Sequence, residues 1–210
     1  LSGADRTIIF DVGGTIPLGS FLRVNGANIT IDGRTAPAPG ITLMNYGILI
    51  GGDHDVIVRG LRLRNSPIDG IQITGASTYR ILIDHVSVSG ALDGSIDITA
   101  EAHDVTVQNS IFHSSGKNSL IKYFPSRITL YRNLYYSAGA RNPQVRYTAD
   151  PVSEPNETKY HVGSPSDTTV DMQSNVIWNN GTTRLWFGPW VNVISNYYQK
   201  NGGLVVSDGA

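Results

Sequence analysis

Val56-Ile-Val-Arg-Gly-Leu-Arg-Leu63, Ile81-Leu-Ile-Asp-His-Val-Ser-Val88, Val105-Thr-Val-Gln-Asn-Ser-Ile-Phe112 and Ile128-Thr-Leu-Tyr-Arg-Asn-Leu-Tyr135 are four copies of one pattern. Each is an alternating apolar strand, a polar corner and a second short apolar piece. Their starts lie 25, 24 and 23 residues apart (81−56, 105−81, 128−105). Two further copies, Val170-Asp-Met-Gln-Ser-Asn-Val-Ile177 and Val191-Asn-Val-Ile-Ser-Asn-Tyr-Tyr198, are 21 apart (191−170). The step from 128 to 170 is 42, and its excess falls in the polar, proline-bearing stretch Thr148 to Thr168.

Working outward, most copies are followed by a second turn and a third strand, such as Gly70-Ile-Gln-Ile-Thr74 or Gly94-Ser-Ile-Asp-Ile-Thr99. Three short strands per ~23-residue coil predict an all-β fold, a right-handed single-stranded parallel β-helix whose coils stack over one continuous core. A β-sandwich would also give frequent turns, but it offers no reason for side chains to recur at the coil length. Asn133, Asn175 and Asn196 hold the same place in their copies, which predicts a structural ladder of inward amides at one corner.

The 210 residues, 40% hydrophobic and 16% charged, suit one sizeable core and exclude a disordered chain. One domain over 1–210 is expected, with 148–168 as an inserted loop. That loop could be a lid or wall over a groove, or a mobile connection. Cysteine is absent, so thiol catalysis, disulfides and thiolate metal sites are excluded, and any metal must be held by oxygen or imidazole. There is no apolar run near ~18 residues and no signal peptide. Residues 1–5 lead straight into the strand-like Thr7-Ile-Ile-Phe-Asp-Val12, as if upstream sequence were missing. Asn-x-Ser/Thr triplets at Asn28, Asn156 and Asn180 match a glycosylation pattern that is common by chance.

The formal net charge of −1 hides a local segregation. Between residues 81 and 104 the Asp, Glu, Lys and Arg side chains are all acidic: Asp84, Asp93, Asp97, Glu101 and Asp104. Between 117 and 146 they are all basic: Lys117, Lys122, Arg127, Arg132, Arg141 and Arg146. Stacked side by side, these stretches set a carboxylate cation site against a comb of cations, an arrangement suited to a polyanion bridged by a divalent metal. A nucleic-acid or membrane partner is not expected. Trp178, Trp186, Trp190, Tyr197 and Tyr198 could stack on sugar rings, although covering the late coils is the simpler reading.

With these segments in hand, the chain resembles the pectate lyases of polysaccharide lyase family 1. The resemblance rests on Thr7-Ile-Ile-Phe-Asp-Val-Gly-Gly-Thr-Ile16, Asn28-Ile-Thr-Ile-Asp-Gly33, Ile83-Asp-His85, Asp93-Gly-Ser-Ile-Asp97 and Arg141-Asn-Pro-Gln-Val-Arg146, taken in order within the repeat. It implies secretion and Ca²⁺-dependent β-elimination of α-1,4-polygalacturonate, giving unsaturated oligogalacturonates, by a chain that works as a monomer. By motif position it implies Asp84, Asp93 and Asp97 as calcium ligands, Arg141 as the base, and Lys117 and Arg146 as contacts to the substrate. Leu82 stands where family members often carry Trp, a difference of packing.

The proton next to a uronate carboxylate is poorly acidic, because its removal places a second negative charge beside the first. A hard cation and nearby cationic side chains offset that charge. An arginine base has an ordinary pKa above ~12, so an alkaline activity optimum is expected. A lyase for methylated pectin would dispense with the metal, and a non-catalytic β-helix binding acidic polysaccharide would dispense with the base. Both stand as alternatives.

Overall fold

The computed structural model describes residues 3–179, 181–200 and 203–207; the Asn180 triplet lies outside the described residues. The chain is a parallel β-solenoid of three sheets with eight strands in each. Every coil contributes one strand per sheet, and every strand pairs with its counterparts one coil away. In the first sheet Ile81 stands in register between Val56 and Val105, Val105 pairs with Ile128, and Val170 pairs with Ile128 and Val191. The six aligned copies are therefore rungs of one sheet. The strands Arg6–Ile8 and Ile29–Asp32 extend it toward the N-terminus.

Alternation explains the core. In Tyr79–Asp84, Ile81 and Ile83 point inward and are buried while Leu82 faces out; in Gly94–Thr99, Ile96 and Ile98 point inward and Asp97 faces out. The inward residues of all three sheets form one cluster running from Val24 to Leu185. Each fully buried Ile or Val contributes on the order of 1.5–3 kcal/mol relative to exposure. The corners bend through left-handed backbone at matching positions: Arg80, Asp104 and Arg127 all have φ 54°.

The asparagine ladder forms. The Asn133 side-chain oxygen accepts from Ser110 N–H at 3.1 Å, Asn175 Oδ1 accepts from Asn133 N–H at 2.9 Å, and Asn196 Oδ1 accepts from Asn175 N–H at 2.9 Å. A second ladder runs along another corner: Asn118 Nδ2 donates to Asn142 Oδ1 at 2.7 Å, and Asn142 Nδ2 donates to the Gly181 carbonyl at 3.0 Å. Asn142 is fully buried and anchors the chain between Arg141 and Pro143.

Stretch 148–168 is docked on the solenoid. Two short 3₁₀ turns, Thr158–Tyr160 and Pro165–Asp167, shape it. Tyr160 stacks on Tyr123 with ring centroids 4.3 Å apart, and the two rings form a small second core with Ala149. Among the late aromatics, Trp178, Trp190 and Tyr197 stand exposed, Tyr198 packs against the main core, and Trp186 lies beneath the Arg184 guanidinium at 5.1 Å.

Candidate active site

Asp69, Asp93, Lys117 and Arg141 recur 24 residues apart at each step (93−69, 117−93, 141−117) and lie at the head of four successive coils, where Lys117 pairs in register with Gly94, the residue after Asp93. Asp69 lies just ahead of strand Ile71–Thr74 and Asp93 just ahead of Gly94–Thr99; Lys117 opens Lys117–Lys122, and Arg141 leads toward Gln144–Arg146. All four strands belong to the third sheet. Backbone bonds lock the stack: Asp93 N–H donates to the Ile68 carbonyl at 2.9 Å, Lys117 N–H to the Asp93 carbonyl at 2.7 Å, and Ser119 N–H to the Arg141 carbonyl at 2.7 Å. With coils roughly 4.8 Å apart, the four side chains make a column about 14 Å long.

Asp97 projects beside this column from its outward position, flanked in register by Gln72 and Leu120. Arg141 Nη1 sits 3.6 Å from Asp97 Oδ2 and 3.7 Å from Asp93 Oδ1, while Lys117 Nζ meets the same Asp93 oxygen at 2.6 Å. The structure thus brings together four of the six expected residues: Asp93, Asp97, Lys117 and Arg141.

Between Asp69 and Asp97 lies Gly94. Its N–H donates to Asp69 Oδ1 at 2.6 Å, and a Cβ added to it would stand 2.5 Å from Asp97 Oδ1 and 2.7 Å from Asp69 Oδ1. Two carboxylate oxygens therefore approach the Gly94 backbone more closely than a side chain there would allow. Asp97 Oδ1 is buried without a hydrogen-bond partner, whereas the other Asp69 oxygen accepts from Gln72 Nε2 at 2.8 Å. Burial, then the neighbouring Asp69 charge, pushes the Asp97 carboxyl up to about 8, and Arg141 only partly opposes this. Burial also raises Asp69. Among the described residues, no three His, Asp or Glu side chains form a closed metal cluster. Asp93 is instead turned onto Lys117.

Asp84 is not part of this group. It ends a strand of the first sheet, where it lies in register with Arg59 and Gln108. Its Oδ1 accepts from Gln108 Nε2 at 3.1 Å and Asn109 Nδ2 at 3.0 Å and meets His85 Nδ1 at 2.8 Å. The carboxylate completes a polar corner between coils, and the third carboxylate beside Asp93 and Asp97 is that of Asp69. One sequence signal pointed there: the pair Asp69-Gly70 repeats one coil ahead of Asp93-Gly94.

Arg146 does lie on the same sheet, but it is only 6% exposed, and its Nη2 donates to Glu154 Oε2 at 2.6 Å. Lys122 donates to the other Glu154 oxygen at 2.7 Å. Nothing in the repeat pattern marks Glu154, because it belongs to the stretch that departs from the repeat.

No protein-family model matches the chain. It is 34% identical over 195 residues to the probable pectate lyase C of Aspergillus terreus, covering 85% of this chain and 44% of that protein. Against the probable pectate lyase C of Neosartorya fischeri it is 38% identical over 157 residues, 70% of this chain and 36% of that one. The chain thus spans less than half the length of these curated relatives. A solved structure, that of the thermostable pectate lyase PL 47, superimposes with a TM-score of 0.50 at 15% identity, covering 89% of this chain and 56% of that one. That likeness shows the solenoid fold, whereas the fungal proteins match in sequence at 34% and 38% identity over most of the chain, and so the chain belongs to the pectate lyase family.

Proposed function

We propose that the protein is a Ca²⁺-dependent pectate lyase that cleaves α-1,4-polygalacturonate by β-elimination and acts as a secreted monomer. The observation that carries this reading is the column itself, in which three carboxylates (Asp69, Asp93, Asp97) adjoin Lys117 and Arg141 on one sheet face. The donor set is all oxygen and suits a hard cation. The unpartnered Asp97 oxygen and the Asp69 oxygen beside it fit such an ion; Asp69 and Asp97 would hold it, and Asp93 would join if Lys117 turned to substrate. When bound, Ca²⁺ supplies charge neutralisation for the uronate carboxylate and for the aspartates.

Arg141 takes the proton from the ring carbon bearing the carboxylate. That electron pair becomes a C4–C5 double bond as the C4–O bond breaks, and the departing oxygen is protonated by water. The guanidinium returns its proton to solvent. Lys117 is placed to pair with the carboxylate as charge develops. Asn142, locked in its ladder, positions the backbone that carries the base.

The test is ultraviolet detection of unsaturated product from polygalacturonate, with Ca²⁺ and with a chelator. Product that forms only with the metal supports the reading. Product that forms equally under chelation favours a metal-free pectin lyase, and none under any condition favours a binding protein.

A further inference from the structure

Lys122 and Arg146 follow the register pair Ile121 and Val145 on neighbouring strands of the third sheet, so their outward side chains stand side by side. Lys122 stands in register with Thr99, two residues along the strand from the outward Asp97, which places the pair along the same face as the column. A polyuronate-binding face would ordinarily leave two such cations open to substrate. Here one carboxylate spans both: Glu154 meets Lys122 Nζ at 2.7 Å and Arg146 Nη2 at 2.6 Å.

Glu154 is firmly held. Its side chain also accepts from Asp150 N–H at 3.1 Å, its carbonyl meets His161 Nε2 at 2.8 Å, and the Tyr123–Tyr160 stack pins the stretch that carries it. Despite burial, its ion pairs hold the carboxyl down at about 2, so it is charged at any working pH. The buried Arg146 Nε, meanwhile, has no hydrogen-bond partner, a donor that a neutral oxygen would satisfy.

We infer that Glu154 is a specificity-determining residue: by cancelling one of the two positive charges at the Lys122–Arg146 position, it lets the sheet face beside Arg141 accept a methyl-esterified uronate there as well as a free one. This rests on the lyase reading and adds the charge state of the substrate. Counting these three side chains, the formal charge is one in the native protein, two in Glu154→Gln and zero in Lys122→Gln.

The experiment compares polygalacturonate with highly methyl-esterified pectin in two readouts on all three proteins: kcat/KM with Ca²⁺, and calorimetric binding of matched oligomers in an Arg141→Ala background. The preference for the de-esterified substrate is expected to rise roughly five- to tenfold in Glu154→Gln and to fall by a similar factor in Lys122→Gln, the size of one charge felt across a partly solvated surface. An unchanged ratio, with both substrates weakened together, overturns the inference and leaves Glu154 as a packing residue. If Glu154→Gln does not fold, Lys122→Gln alone still decides the direction. If binding follows the charge series but no variant or native protein cleaves either substrate, the lyase reading fails while the specificity role stands.

Discussion

Asp97 concentrates the chemistry of the column into one side chain. Its folded pKa of about 8 lies above the ordinary 3.8, so the folded state holds the proton more tightly than the unfolded chain does. The sign follows: the contribution of Asp97 to metal-free stability is greatest at acid pH and falls as pH rises from near 4 through about 8. Asp97→Asn removes that slope and is expected to raise the metal-free melting temperature at pH 8 by roughly 2–8 °C. It should also abolish the thermal shift with Ca²⁺, which in the native protein grows from pH 5 to pH 8 because ligands must be ionised. A melting curve that is flat with pH in the native protein would remove Asp97 from this role. Gly94→Ala tests the same two carboxylates by displacing them. Its methyl would lie against Asp97 and Asp69 oxygens, so the Ca²⁺ response and activity should fall on the order of a hundredfold while far-ultraviolet dichroism stays native. Arg141→Lys keeps the charge but loses the fork, and kcat is expected to drop roughly 10²–10⁴-fold with a smaller change in KM.

At the scale of elements, the repeat was legible because hydrophobic alternation and corner residues recur at the coil length, and the structure pairs the aligned copies residue for residue. The column was partly legible. Asp93, Asp97, Lys117 and Arg141 could be named from their motifs, but the neighbouring Ile83-Asp84-His85 is equally acidic and lies on another sheet, a distinction that charge patterning does not encode. The segregation of charge also has a plainer component: Asp104 pairs with Arg127 at 2.6 Å one coil on, as Asp93 pairs with Lys117. Stretch 148–168 was unreadable because its place is set by tertiary contacts, chiefly the buried Tyr160. Tyr160→Ala deletes that anchor, and local undocking should cost about 3–5 kcal/mol. Limited proteolysis is then expected to nick 148–168 well before the solenoid unfolds; if protection of that stretch is unchanged, Tyr160 does not hold it.

For the whole molecule, stacking makes stability a chain of nearest-neighbour interfaces. Ile98 is fully buried in a middle coil, in register with Ile73 before it and Ile121 after it. Val193 packs against the core in register with Met172, yet it is only partly buried. Ile98→Ala therefore opens a cavity at two coil interfaces and is expected to cost about 3–4 kcal/mol, against roughly 1 kcal/mol for Val193→Ala. The distribution of the loss is the sharper test. If coupling is one-dimensional, amide exchange in Ile98→Ala should accelerate most in the strands Ile71–Thr74, Gly94–Thr99 and Lys117–Lys122 and fade with distance along the axis. Those strands carry Asp97 and Lys117 and directly follow Asp69 and Asp93, so the same substitution should weaken the Ca²⁺ response without touching a ligand. Uniform acceleration from the first coil to the last would show instead that the solenoid opens as a single cooperative unit, and the column would then draw its rigidity from the whole stack.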